Sequence, residues 1–163
     1  KSAGLDVKAV GKIEDIFANR GITDSVHTTN NRDGIAQTVK YIAAQSSGLI
    51  FTNLVDFDML YGHRNNVEGY AEALEEFDSA LPGIEGRMKD GDLLFITADH
   101  GCDPTTPSTD HSREYIPVLV YGKGIKPSPL GTLTTFADIG KTICDILGVQ
   151  NRLEGASFRD RLL

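Results

Sequence analysis

The sequence predicts an α/β domain built on a mostly parallel sheet with helices on both faces. Short apolar runs at residues 49–55, 92–98 and 116–122 have strand length and little polar alternation, as strands covered on both faces do. Stripes of helical period fall between and after them. The order runs strand, helix, strand, helix, strand, strand, helix, the alternation that parallel sheets produce.

Each element has its own signal. Residues 6–11 read as a short strand, and Ile13, Ile16 and Phe17 follow at helical spacing, ended near Gly21. Residues 22–31 are polar and turn-like. Asp33 reads as the N-cap of a helix whose stripe is Ile35, Val39, Ile42 and Ala43, running to about Gln45 before Ser47-Gly48 breaks it. After the run at 49–55, Asn65 and Asn66 suit the cap of the clearest helix. Val67, Tyr70, Ala71, Leu74, Phe77 and Leu81 repeat on one side, with Glu68, Glu72, Glu75 and Glu76 on the other. Pro82-Gly83 is expected to bend or interrupt that helix before residues 84–88 continue it. Asp90-Gly91 is a turn feeding the central strand. Residues 102–114 form a loop, long for a compact domain and therefore expected to be functional. Pro117 suits the first turn or an edge of the next strand. Thr134 or Thr135 caps a last helix with Phe136, Ile139, Ile143, Ile146 and Leu147 inside and Gly148 at its end. The tail at 157–163 is ambiguous.

The 163 residues suffice for one domain with a core, and 40% hydrophobic with 24% charged residues is ordinary for a globular protein. A net charge of −7 argues against nonspecific binding to nucleic acid or anionic membrane. It leaves an anionic substrate open, because a bound metal reverses the local field. Two distant cysteines, Cys102 and Cys144, make no disulfide framework and point to a cytoplasmic setting. No apolar run approaches the ~20 residues of a membrane span, and no signal peptide is evident. The chain opens Lys1-Ser2-Ala3-Gly4 without Met, as a processed chain, a trimmed tag or the back part of something longer would.

The central run stops at Asp99-His100-Gly101, and ligands in open α/β sheets sit at the carboxyl ends of strands. Asp110-His111 repeats the pair eleven residues on. Asp56, Asp58 and His63 follow the run at 49–55. Asp58, His63, Asp99, His100 and His111 are thus expected on one rim. Imidazole suits Zn, Mn or Fe, and carboxylate suits Mg or Mn. Five donors exceed one structural tetrahedral site and fit a pair of metals better, as used in phosphoryl displacement. Each residue has an alternative role: a capping acid, a hydrogen-bonded histidine, a turn cap at Asp58, a solvated His111. His27 lies outside the pattern and reads as structural or surface. Cys102, without a basic neighbour in sequence, reads as packing rather than nucleophile, and Cys144 as core.

At these residues the chain resembles a known family. The string Asn53-Leu54-Val55-Asp56-Phe57-Asp58-Met59-Leu60-Tyr61-Gly62-His63-Arg64 is similar to the phosphopentomutases. So is Thr97-Ala98-Asp99-His100-Gly101, continuing from Asp103-Pro104-Thr105-Thr106-Pro107-Ser108-Thr109-Asp110-His111 to Pro117. Asp-His-Gly alone resembles only the alkaline phosphatase superfamily, which also contains cofactor-independent phosphoglycerate mutases. The other two strings are specific to the pentose enzyme, and the likeness runs over essentially the whole chain.

The resemblance implies an alkaline phosphatase-like core, in which Asp58, His63 and His111 hold one Mn2+ and Asp99 and His100 a second. Lys12 matches a lysine that helps bind the substrate phosphate. The family's nucleophilic threonine, and a further aspartate ligand, lie upstream of an inserted cap domain. Thr97, Thr105, Thr106 and Thr109 do not match that threonine. Residues 1–163 are therefore expected to be the C-terminal segment of the catalytic core, without its N-terminal segment and cap, and inactive alone. The implied activity of the whole protein interconverts 1- and 5-phosphates of ribose and deoxyribose, through a phosphothreonine enzyme and a sugar bisphosphate that also acts as activator. Competing readings are another phosphatase or phosphoglycerate mutase on the same core, and an inactive metal-binding fragment. No nucleic acid or membrane partner is implied, and no oligomeric state.

Overall fold

The computed structural model describes residues 1–44 and 47–163, so the helix end expected at Gln45 lies outside the described residues. The elements are β1 (Asp6–Val10), α1 (Ile13–Ile16), β2 (Asp24–Val26), α2 (Asn31–Ala43), β3 (Gly48–Thr52), α3 (Val67–Glu85), β4 (Leu93–Thr97), β5 (Val118–Gly122) and α4 (Ala137–Ile146). A single π turn at Phe57–Tyr61 and a 3-10 turn at Gly62–Arg64 lie between β3 and α3, and a second 3-10 turn at Arg159–Arg161 follows α4. The fold is α/β with a parallel sheet, ordered β2-β1-β3. Val10 pairs with Val26 on one side and Thr52 on the other, so the three strands end together. β4 and β5 form a separate two-stranded sheet rather than extending the first, and β3 has no second strand partner among the described residues.

The chain divides into two compact units, Lys1–Met88 with Phe95–Val120 and Lys89–Leu94 with Tyr121–Leu163. In the first, Ala9, Val10, Ile13, Ala73, Ile84 and Met88 are buried. In the second, Phe158 and Leu162 are buried beside Asp138 and Thr142. Thr142 Oγ1 donates to the Asp138 carbonyl at 2.7 Å and accepts from Phe158 N at 3.0 Å. The Asp138 carboxylate accepts from the backbone N–H groups of Ala156, Thr134 and Thr135 at 2.7, 3.1 and 3.3 Å. These bonds, the one from Ala156 foremost, hold its pKa below the ordinary carboxylate value.

Several expectations change. β2 forms where a turn was expected: Asp24-Ser25-Val26 is too short and polar to show alternation, yet its backbone completes a ladder with β1. The N-cap of α2 is Asn30, whose side chain accepts from Asp33 N at 2.9 Å, while the Asp33 carboxylate accepts from Thr29 N, one residue before the cap, at 3.0 Å. β3 is shorter than its apolar run because the chain turns toward Asp56 after Thr52. α3 continues through Pro82 to Glu85; in the last turn a proline costs one carbonyl its donor without ending the helix. β4 is half-buried along most of its length, not covered on both faces, and among the described residues only β5 pairs with it. Phe136 is exposed, since it stands at the N-cap of α4, outside the stripe, and Asp138 in the first turn ties back the residues before the helix. Cys144 is half-buried rather than core.

Candidate metal centre

Three strand ends supply the rim. β1 is followed by Gly11 with φ +82°, where a Cβ would stand 2.5 Å from the Asn53 carbonyl oxygen, so only glycine lets the two strand ends approach this closely. After β3 the chain is anchored by a buried reciprocal pair. Asp56 Oδ2 accepts from Asn31 N at 2.7 Å, and Asn31 Oδ1 accepts from Asp56 N at 3.0 Å. Asp56 thus caps α2 at its positive end and is not a ligand candidate. It fixes the start of the π turn that carries Asp58; such turns recur at functional sites. His63 follows in the 3-10 turn, which ends on left-handed Asn65 (φ 49°).

The loop after β4 is closed at its base. Gly101 and Ser112 form an isolated antiparallel bridge, with Ser112 N donating to the Gly101 carbonyl at 3.2 Å. The bridge places His111 beside His100, their rings stacked at 3.6 Å between centroids. His63 and His111 lie 4.9 Å apart by the same measure. Within the loop, Asp103 Oδ1 accepts from Thr105 N and Thr105 Oγ1 at 2.9 and 2.7 Å, which lowers the Asp103 pKa. Cys102 Sγ fills the space where a Gly62 side chain would be. Burial first, then the nearby Asp58 and Asp103 charges, push its thiol pKa up, consistent with packing rather than nucleophilic attack.

The structure gathers three of the expected donors around an oxygen of a fourth. His111, His63 and His100 place Nε2 at 3.1, 3.3 and 3.9 Å from Asp58 Oδ1. One ligand atom each from Asp58, His100 and His111 lies within 4.8 Å of the others. Asp99 is peripheral: its largely exposed carboxylate reaches His100 Nε2 at 3.6 Å. Lys12, just after β1, lies beside the same turn, with Nζ 2.8 Å from Met59 Sδ. His27 is on the surface near Glu14 and Asp15, at 3.4 and 3.8 Å.

The donor chemistry fits a divalent cation. His63 Nδ1 is 2.5 Å from the Thr109 carbonyl and His100 Nδ1 is 3.1 Å from the Gly101 carbonyl. A carbonyl only accepts, so both Nδ1 atoms carry the proton, and in the neutral rings Nε2 keeps its lone pair. Those lone pairs face a carboxylate oxygen. Such a gathering repels itself unless a proton or metal cation sits among the donors. Ligand atoms about 2.1 Å from one ion stand about 3.0–3.4 Å apart in tetrahedral or octahedral geometry. The separations from Asp58 to His111 and His63 fall in that range, and that to His100 falls outside it.

The comparisons agree with this chemistry. The chain is 61% identical over 161 residues to the phosphopentomutase of Clostridium kluyveri, covering 98% of this chain and 41% of that protein. It is 59% identical over 161 residues to the phosphopentomutase of Acetivibrio thermocellus, covering 98% and 42%. The Desulfitobacterium hafniense phosphopentomutase is 57% identical over 164 residues, covering 100% and 42%. The chain therefore spans about two-fifths of the length of these curated relatives. The family described as the metalloenzyme superfamily matches residues 4–151, nearly the whole sequence, and the chain belongs to it.

Proposed function

We propose that this chain is the metal-holding C-terminal segment of the catalytic core of a phosphopentomutase, which interconverts 1- and 5-phosphates of ribose and deoxyribose in the cytoplasm. The observation that supports this most is the convergence of three histidine Nε2 atoms on Asp58 Oδ1. Identity near 60% to phosphopentomutases, sustained along the chain, supports the pentose substrate. Asp58, His63 and His111 would hold one Mn2+, and Asp99 and His100 the other. Bound divalent cations supply charge neutralisation for a phosphoryl group and acidify a hydroxyl nucleophile.

The chain's own residues do the rest. His63 and His100 keep their Nδ1 protons on backbone carbonyls, so each presents the same ring atom to the centre. Lys12 offers a cation to the sugar phosphate from the lip of the rim. Cys102 stays a thiol and gives way to a threonine nucleophile contributed outside this chain, which passes a phosphoryl group to the sugar phosphate and receives one back from a sugar bisphosphate.

The test is to supply the full-length protein and Mn2+ with ribose 5-phosphate and a trace of sugar bisphosphate, following products by phosphorus NMR. Accumulation of ribose 1-phosphate is expected. Turnover of 3-phosphoglycerate instead, release of free phosphate alone, or no reaction with any of them overturns the assignment.

A further inference from the structure

The two chain segments that carry His63 and His111 are distant in sequence, and something must hold them in register. Asn65 closes the 3-10 turn that carries His63: its backbone N–H donates to the Gly62 carbonyl at 3.1 Å while its own backbone is left-handed. Its side-chain Nδ2 crosses to the other segment and donates to the Thr106 carbonyl at 2.8 Å. Thr106 is itself fixed, its N–H and Oγ1 both donating to the Asp103 carbonyl, at 3.3 and 3.0 Å. Three residues on, the Thr109 carbonyl receives His63 Nδ1. One turn therefore grips one loop at two carbonyls, and the loop delivers His111 two residues later.

We propose that Asn65 is a positioning residue for the metal centre, tying the His63 turn to the His111 loop through the Asn65 Nδ2 to Thr106 carbonyl bond. The residue type fits on two counts. Asparagine is among the few non-glycine residues that adopt the left-handed conformation readily, and only its amide, not a carboxylate, can donate to a carbonyl. Asn65 Oδ1 is buried with no hydrogen-bond partner among the described residues, an unfavourable state that the side chain bears while Nδ2 makes the cross-tie. Unlike His63 and His111, Asn65 is itself no candidate ligand.

The inference rests on the metal centre proposed above, and the test separates the two. Mn2+ is titrated into the full-length protein, its Asn65→Gly variant and its His111→Ala variant, with the metal-free thermal midpoint of each recorded. Asn65→Gly keeps the left-handed backbone while removing the donor together with the buried, unpartnered Oδ1. Supporting residues of this kind change metal affinity about 10- to 100-fold, so about tenfold weaker Mn2+ binding is expected, with the metal-free midpoint nearly unmoved. Unchanged Mn2+ affinity in Asn65→Gly while His111→Ala loses a metal overturns the role of Asn65 and leaves the centre standing. Unchanged Mn2+ binding in His111→Ala overturns the centre itself. If Asn65→Gly fails to fold, Asn65→Asp decides: it keeps the shape and adds a negative charge that should attract the cation. Weaker binding despite that charge supports the tie, and equal or tighter binding overturns it.

Discussion

Asp58 and Asp138 are both carboxylates among several hydrogen-bond or charge partners, and their partners give them opposite uses. Asp58 faces three imidazoles from two segments, an arrangement that favours a shared cation. Asp138 faces backbone N–H groups of Thr134 and Thr135, just before α4, and of Ala156, an arrangement complete in itself. Its folded pKa is depressed, so the stability it contributes is present above the ordinary carboxylate value of 3.8 and is lost as pH falls through the lower folded value. Asp138→Asn should therefore reduce stability at neutral pH, and the difference from the parent protein should shrink on acidification below about pH 4. Urea unfolding at a series of pH values checks this, and a difference that stays constant with pH would contradict it. At this scale the ligand candidates were legible, because acids and histidines just past apolar runs are rare enough to notice. Asn65 was legible only as a possible cap for α3, since its tie to Thr106 joins segments forty-one residues apart. The role of Asp138 was hidden for a similar reason: Thr135 Oγ1 does accept from Ala137 N at 3.3 Å, as its reading as a cap implied, but the backbone N–H groups of Thr134 and Thr135 also donate to the Asp138 carboxylate.

Elements deliver these residues through backbone contacts that only particular side chains permit. The loop at 102–111 is pinned by the Gly101–Ser112 bridge, and a Cβ on Gly101 would collide with the Ser112 carbonyl and stand 2.6 Å from Glu114 N. Both obstacles are backbone, so the loop base must shift to admit alanine. Gly101→Ala should cost about 1–3 kcal/mol, the usual range for forced overpacking, and weaken metal binding by pulling His111 from His100. Denaturant unfolding with a parallel Mn2+ titration measures both; a variant with the parent's stability and affinity would refute the pinning role. Helical periodicity and glycine punctuation made α2, α3, α4 and β1 readable. β2 escaped because three residues of backbone pairing leave no pattern in side chains. The π and 3-10 turns between β3 and α3 escaped because their geometry follows from tertiary anchors: the buried Asn31–Asp56 pair at one end and left-handed Asn65 at the other.

For the molecule, the parallel sheet and the family were readable before any coordinates, while the grouping of strands was not. The apolar character of the run at 92–98 predicted a strand covered on both faces, yet among the described residues β4 pairs only with β5, and it remains half-exposed. Hydrophobicity reports what a strand is built to be covered by, and the cover need not lie in the same 163 residues. No described helix is long and apolar enough to cross a membrane. What unites the molecule's functional reading is a single rim, where the turn after β3 and the loop after β4 bring His63, His100 and His111 around Asp58. The most direct test is an anomalous-difference map from crystals of the full-length protein grown with Mn2+. The account predicts a peak bonded to Asp58 and to Nε2 of both His63 and His111, with a second beside His100 and Asp99. Manganese bound elsewhere, with those histidines touching only water and Asp58, would contradict it.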